Sequence, residues 1–189
     1  PVVQQRISRR QKNDVASANI AWLRDHSSAH LHVDLIAGLP GEDVDTFAAG
    51  FDRLVQLAPH EIQFGILKRL RGAPIARHTR EHGLRFNPEP PYNILATDVI
   101  DFATMQRLSR FSRYWDIVAN SGRYARTLVL LLGDAPFRNF LAFADWLYAK
   151  THQTHALAHE RMVHLLHEHL LTVRALPEAT VNDALLSDY

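Results

Sequence analysis

The sequence predicts an α/β part followed by a helical bundle. In the first part, apolar strand-like runs alternate with amphipathic helices across short joints, which is typical of parallel strands with right-handed crossovers. Beyond residue 92 the chain turns helical. A proline-rich passage over residues 86–92 separates the two patterns, because three prolines in four residues continue neither a helix nor a central strand. We therefore expect one domain over residues 1–86 and a second over residues 87–189.

Two helices and two strands are predicted in the first domain. A helix is expected over residues 11–26, and a strand over residues 31–37. That strand is nearly all apolar, as expected when both of its faces are covered. Asp43 is placed to cap the next helix, which Pro59 ends. A second strand is expected over residues 61–68, parallel to the first.

Three apolar stripes predict the helices of the second domain, and Gly122, Gly133 and Pro177 punctuate them. A helical bundle appended to part of an α/β layer is the economical architecture. The stripes are Leu108, Phe111, Trp115 and Val118; Phe137, Phe140, Leu141, Ala144 and Tyr148; and Val163, Leu166, Leu170 and Val173.

Composition excludes several classes of protein. The formal net charge is +1, which favours neither nucleic acid nor an anionic membrane as a partner. No apolar run approaches the ~20 residues of a membrane span, and no signal peptide is visible, so we expect a cytoplasmic protein. The chain has no cysteine, which excludes disulfides, thiolate zinc and a self-sufficient iron–sulfur cluster. Because it begins at Pro1 in mid-pattern, we expect a fragment.

Asp34 and the turn after it are the candidate site. A carboxylate within an apolar strand is costly unless a partner meets it. Asp34 either accepts hydrogen bonds from both hydroxyls of a ribose or is a buried residue that ties down the neighbouring loop. Gly38 and Gly41 either let the backbone approach a ligand closely or simply form a tight strand-to-helix turn.

The stretch Asp34-Leu-Ile-Ala-Gly-Leu-Pro-Gly-Glu42 resembles the fifth-strand motif of radical S-adenosylmethionine enzymes. It is most similar to the branch with oxygen-independent coproporphyrinogen oxidase and the cobalamin-dependent radical enzymes. The resemblance implies the C-terminal strands of a partial, TIM-barrel-like (β/α) barrel. It assigns ribose contact to Asp34 and adenine packing to Ile36, with Gly38 at the cofactor in the turn. The family often has glycine where Asp34 stands and places its glutamate one residue earlier, so Glu42 is assigned only the helix start.

The segment Arg6-Ile-Ser-Arg-Arg-Gln11 carries the same resemblance, to the segment after the fourth strand. It implies that Arg9, or the adjacent Arg10, pairs with the carboxylate of the cofactor, a group that a guanidinium fork suits. A solvated basic helix start is the alternative.

The segment Gln63-Phe-Gly-Ile-Leu-Lys68 lies where the sixth strand of that barrel should be. The resemblance implies that backbone near Leu67 and Lys68 meets the edge of the adenine. Three later strings resemble the uncharacterised tail domain of cobalamin-binding radical enzymes: Phe86-Asn-Pro-Glu-Pro-Pro-Tyr92, Ser112-Arg-Tyr-Trp-Asp116 and Asp145-Trp-Leu-Tyr148.

The cofactors implied for the intact protein are S-adenosylmethionine, a [4Fe–4S] cluster and, in this branch, cobalamin. The three-cysteine motif of the family is absent here, and a cluster cannot be held without thiolates. We therefore expect no cofactor on this chain alone, no catalytic residue of its own and no activity by itself.

Histidines and arginines in the second domain suggest two further sites. His155 with His159, and His164 with His167, have spacings found in helical zinc sites, but a polar helix face is the preferred explanation. Because His-Glu-x-x-His is absent, no metal ligand is assigned. Arginines interleaved with aromatics between residues 107 and 126 could bind an anionic ligand or nucleic acid, or form a core with charged groups at its rim.

The leading hypothesis is the C-terminal part of a radical S-adenosylmethionine oxidoreductase, linked to cobalamin and of methyltransferase or cyclase type. Its partners would be the rest of the parent chain and a small-molecule substrate. A helical docking module, and an independent metal or nucleotide binder, are the alternatives. A severed barrel exposes a sheet edge, so we expect either the helical tail to cover that edge or a homodimer to form through it.

Overall fold

A computed structural model describes residues 2–9 and 11–189 of the chain. They fall into two compact units, Pro1–Ser109 and Arg110–Tyr189, called here the first and second unit. Helices and short sheets are both present, which confirms the mixed α/β class. Within the described residues the strands form two two-stranded sheets and no closed barrel.

The first unit contains the predicted alternation of helices and strands. The helices α2 and α3 and the strands β1 and β2 were all predicted, with ends within about two residues of those observed. In chain order the described elements are α1 (Val2–Arg6), α2 (Asn13–His26), β1 (His32–Ala37), α3 (Val44–Leu57), β2 (Glu61–Ile66), a 3₁₀ helix (Pro74–His78), β3 (Arg85–Phe86), β4 (Ile94–Ala96) and the start of α4 (Phe102–Val118).

Strands β1 and β2 are parallel, as the alternation predicts. Helix α3 covers one face of this pair: Phe47 packs against Phe64 with ring centroids 4.8 Å apart, and Phe51 lies 6.3 Å from the same ring. The cap of α3 is also confirmed, since Asp43 accepts a hydrogen bond from the Thr46 amide at 2.8 Å. The apolar stripe of α3 thus anchors the sheet from one side.

The other face of β1 is open, so the expectation that both faces are covered was wrong. His32 and Asp34 are exposed, whereas Ala37 is fully buried. The sequence of β1 has apolar residues on both faces, as a strand covered on both sides would. Here the covering elements lie on one side only.

The proline-rich passage connects two short strands. β3 and β4 pair antiparallel, and residues 87–93 join them. The predicted domain boundary between residues 86 and 87 falls at this hairpin, and the compact units divide later, between Ser109 and Arg110.

The second unit is helical, as predicted. It holds the rest of α4, then α5 (Ala125–Leu132), α6 (Pro136–Thr151), α7 (His159–Thr172) and α8 (Glu178–Asp188). Aromatic rings form its core: Phe111 lies 5.2 Å from Phe137 and 4.8 Å from Phe140, and Trp115 meets Phe140 edge-on at 5.0 Å.

The buried face of α7 differs from the predicted stripe. Leu166 and Leu170 are buried as expected, but Val173 is 49 % exposed. His169 is fully buried in its place, beside Phe143 and Trp146. A prediction that counts histidine as polar therefore places the apolar face of α7 at a different angle from the face that is buried.

Candidate functional site

The open face of the β1–β2 pair carries the side chains that alternate away from α3. On β1 these are His32, Asp34 and Ile36. The parallel register places Gln63 opposite Asp34, and Gly65 opposite Ile36. Paired residues of neighbouring strands project from the same face, so a carboxylate, an amide, an apolar side chain and a glycine form one surface.

A cavity of ≈ 320 Å³ lies on this face, a size within the range of small-molecule pockets. Three residues assigned from the sequence, Asp34, Ile36 and Leu67, line it together, as does Lys68. The complete lining is Asp34, Ile36, Gln63, Gly65, Ile66, Leu67, Lys68 and Leu70.

Asp34 is an exposed acceptor at this cavity. Its side chain is 64 % exposed, and its Oδ1 lies 3.2 Å from His32 Nε2. The same His32 nitrogen lies 3.1 Å from Gln63 Oε1. Exposure to water removes the burial cost expected for a carboxylate in an apolar strand. Asp34 is therefore not the buried loop anchor that was one of its two interpretations.

Gly65 leaves the backbone bare beside Ile36. A Cβ added at Gly65 would make only ordinary contacts, 3.7 Å to Leu35 O and 3.8 Å to Ile36 Cγ1. The fold would therefore accept a side chain at position 65. The absence of a side chain there leaves a shallow depression in the middle of the open face. A flat apolar group could lie on this surface against Ile36.

Two other assigned positions lie apart from the cavity lining. Gly38 is buried with φ +91°, and a Cβ added there would lie 2.6 Å from Ile94 Cγ2. Close packing against β4 thus explains this glycine. Arg9 is exposed, and its amide donates to Gln4 O at 2.8 Å. Arg10, the alternative to Arg9, lies outside the described residues.

Glu42, in the turn between β1 and α3, has an unusual environment. Burial, reinforced by the neighbouring Asp43 carboxylate, raises the pKa of its carboxyl to about 7. Its Oε2 has no hydrogen-bond partner among the described residues. Both protonation states are therefore populated near neutral pH, which the position of Glu42 at a helix start did not indicate.

A second cluster in the first unit was missed at the sequence level. His78, Glu81 and His82 bring three candidate ligand atoms within 4.8 Å of one another. Their spacing of i, i+3 and i+4 is the signal that could have found them, because such residues share one face of a helical turn.

The histidines singled out in the second unit do not form a comparable group within the described part of the chain. His155 precedes α7, so helical spacing to His159 does not apply. His159 Nδ1 lies 2.7 Å from the Tyr124 hydroxyl, and His167 Nε2 lies 3.0 Å from Asn182 Oδ1.

The arginines of the second unit border an aromatic core, which favours the structural interpretation over an anion-binding one. Phe111, Tyr114 and Trp115 are buried. Arg110 lies 4.4 Å from the centre of the Tyr148 ring, and Arg113 donates to Thr154 O at 3.1 Å.

Across the part of the chain that the structure describes, no single helix has both the length and the apolar character needed to cross a bilayer. Helices α5 and α6 meet that test only as a pair, which is bent by 102° at its break.

Comparison with known proteins gives a family without an assigned activity. Residues 80–189, more than half of the chain, match the family model DUF4080, described as a protein of unknown function. The match includes the whole second unit and the three strings whose resemblance to an uncharacterised tail domain is given above. No curated protein matches the chain significantly.

Proposed function

The chain belongs to the DUF4080 family, and we propose that its first unit forms one wall of an S-adenosylmethionine pocket in a radical S-adenosylmethionine enzyme. The observation that carries the proposal is the cavity on the open face of β1 and β2, which Asp34, Ile36 and Leu67 line together. The sequence resemblance assigns these same residues to the cofactor. In this proposal, β1 and β2 are two C-terminal strands of a partial barrel, and their open face is its interior.

The residues on this face suit a nucleoside. The exposed Asp34 carboxylate has two acceptor oxygens, which match the two hydroxyls of a ribose. Ile36 and the bare backbone at Gly65 offer a flat apolar surface next to that acceptor, onto which an adenine ring would pack. Lys68 places an ammonium group on the same cavity, suited to a carboxylate of the ligand.

The chain's own part in the reaction is binding and orientation. S-Adenosylmethionine, when bound, supplies the radical chemistry of this enzyme class. The residues here do not fit a [4Fe–4S] cluster, since the chain has no cysteine to supply thiolates. We propose that the cluster is held by another part of the parent protein. Several expectations stay predictions. They are cobalamin binding, a reaction of methyltransferase or cyclase type, a cytoplasmic location and the alternative docking role of the helical unit.

Nucleoside binding to the chain tests this proposal. Adenosine at millimolar concentration is titrated into the ¹⁵N-labelled protein, and the expected result is a set of amide shifts confined to β1, β2 and the residues just after β2. Asp34→Asn should weaken binding roughly tenfold, because it replaces a charged acceptor by a neutral one. Gly65→Leu should abolish binding without unfolding the protein, since its side chain would fill the low centre of the face. Asp45→Asn, at an exposed position of α3, is the matched control.

A second ligand, which lacks one ribose hydroxyl, separates ribose recognition from nonspecific binding. 2′-Deoxyadenosine should bind the wild-type chain about as weakly as adenosine binds Asp34→Asn, and should lose nothing further in that variant. Unchanged adenosine affinity in Asp34→Asn, or amide shifts away from the open face, would contradict the proposal.

A further inference from the structure

The last residue of the 3₁₀ helix and the segment after it bring together three side chains able to bind a metal ion. The sequence His78-Thr-Arg-Glu-His82 completes one helical turn, in which the His82 amide donates to His78 O at 3.0 Å. Residues at i, i+3 and i+4 lie on the same side of such a turn. Both histidines and the glutamate therefore project to one side.

Their distances are close to those of a coordination shell. Glu81 Oε1 lies 3.8 Å from His82 Nε2, and Glu81 Oε2 lies 4.0 Å from His78 Nδ1. Tetrahedral zinc with bonds of about 2.0–2.2 Å separates its ligand atoms by roughly 3.4 Å. Small side-chain rotations would close this gap, and the Glu81 side chain, 73 % exposed, is free to make them from the solvent side.

His82 provides independent support for a ligand at this position. Only 8 % of the residue is exposed, and its Nε2 has no hydrogen-bond partner among the described residues although it is directed towards Glu81. On the opposite side of the ring, Nδ1 lies 3.6 Å from Asp98 Oδ2. A carboxylate behind a histidine is the usual arrangement at metal sites, because it holds the proton on Nδ1 and leaves Nε2 to bind the ion.

Two arginines border the cluster, and their positive charges oppose the binding of a metal ion. Arg77 donates its Nε–H to His78 Nε2 at 3.0 Å, and this bond must break when a metal binds. A metal on Nε2 displaces the Arg77 donor, and a metal on Nδ1 moves the ring proton to Nε2, which then no longer accepts a hydrogen bond. Arg6 Nη1 and His82 Cε1 both lie against Gly41. The carboxylates of Glu81 and Asp98 balance these two positive charges.

We propose that His78, Glu81 and His82 bind a divalent transition-metal ion of the zinc class. Two imidazoles and one carboxylate are a donor set that such ions accept, and three protein ligands leave a fourth position open to water or substrate. The site is separate from the open face of β1 and β2 and does not depend on the proposed nucleoside pocket. A bound ion would also fix the turn between the 3₁₀ helix and β3.

Titration of the full, untagged chain with Zn²⁺ and Co²⁺ tests the site. We expect one tightly bound ion per chain, detected by calorimetry and by the visible absorption of Co²⁺. Glu81→Gln and His78→Gln should each weaken binding at least tenfold, and Asp98→Asn by about 10–100-fold. Arg77→Leu removes the competing donor and should tighten binding. His155→Gln, in the loop before α7, is the matched control and should change nothing.

Glu81→Gln is the deciding variant, because Glu81 is exposed and its replacement leaves the fold intact, whereas the buried His82 is needed for packing. Circular dichroism without metal checks that the fold is retained. The wild-type thermal midpoint should rise on adding Zn²⁺, and that of Glu81→Gln should rise much less. Equal affinity in Glu81→Gln and the wild type, or loss of the bound ion in His155→Gln, would overturn the proposal.

Discussion

At the scale of single residues, Gly38, just after β1, and Gly65, within β2, show how one residue type serves two purposes. Gly38 has a positive φ and no room for a Cβ beside Ile94, so the fold requires it. Gly65 meets neither constraint, and the space above it belongs to the cavity. The sequence shows both as glycines between apolar residues, and only the packing separates the structural glycine from the one that leaves room for a ligand.

His169 is a buried base inside the aromatic core of the second unit. Its ring lies 5.0 Å from those of both Phe143 and Trp146, and neither ring nitrogen has a hydrogen-bond partner within the described residues. Burial, and then the positive charge of Arg174, lowers the pKa of His169 to about 4. The protonated form is therefore excluded from the folded protein at neutral pH.

This histidine predicts a loss of stability in mild acid. An unfolded histidine takes up a proton near pH 6.5, whereas folded His169 does so only near pH 4, so acid favours the unfolded chain between these values. Its contribution to the free energy of unfolding should fall by about 1.4 kcal/mol per pH unit through that window. His169→Phe should remove this component, and urea unfolding between pH 7 and pH 4 measures it. His164→Gln, on the exposed side of α7, should leave the slope unchanged; parallel profiles for His169→Phe and wild type would contradict the assignment.

At the scale of elements, α5 depends on a carboxylate that is distant in the sequence. Asp188, at the end of α8, accepts hydrogen bonds from the amides of Arg126 and Thr127 at 2.9 and 2.8 Å. The local cap position of α5, Tyr124, provides no side-chain hydrogen bond to the helix. Asp188 therefore performs the capping role from another helix and ties α8 to the start of α5.

Removing this cap should destabilise the second unit. Asp188→Ala leaves two amides at the start of α5 without their acceptor and removes a negative charge from the positive end of the helix dipole. The free energy of unfolding should fall by about 1–2 kcal/mol, measured by urea denaturation. Asp183→Ala removes the same charge from an exposed position of α8 and should have little effect. Equal losses in the two variants would show that charge, rather than capping, is responsible.

The elements that the sequence predicted well are those with local signals. Asp43 caps α3, and apolar periodicity identifies α3 and α6, because capping and amphipathicity act within a few residues. The open face of β1 could not be predicted, since it depends on which elements cover the strand. The hairpin of β3 and β4 is too short to produce a periodic pattern, and it pairs across the proline-rich passage.

The residues of the candidate site also divide into those with a local signal in the sequence and those that only the packing of two strands brings together. Asp34, Ile36 and Leu67 could be assigned from a motif along the strand, but their common cavity also includes Gln63 and Gly65, which the parallel register supplies. That register is a property of two strands together. The cluster of His78, Glu81 and His82 had a local signal in its spacing, but the denser group of histidines over residues 152–169 obscured it.

At the scale of the whole molecule, the β1–β2 sheet ends in an edge that another strand could join. Leu31 O and Ala37 O accept hydrogen bonds from the amides of Glu61 and Leu67, so the odd-numbered residues of β1 point their backbone groups towards β2. The amides of the even-numbered residues, from His32 onward, point to the outer edge. In the described residues that edge has no strand partner. Strand edges of this kind pair readily with other chains.

We therefore expect the chain to self-associate through the outer edge of β1 when it is separated from any parent protein. Sedimentation velocity over a hundredfold range of concentration should show a reversible dimer. His32→Pro removes an outward amide and no backbone hydrogen bond to β2, so it should weaken the dimer at least tenfold. His30→Pro, just before β1, makes the same substitution outside the strand and should leave the dimer intact. A monomer at every concentration, or equal weakening by both variants, would mean that another surface governs association.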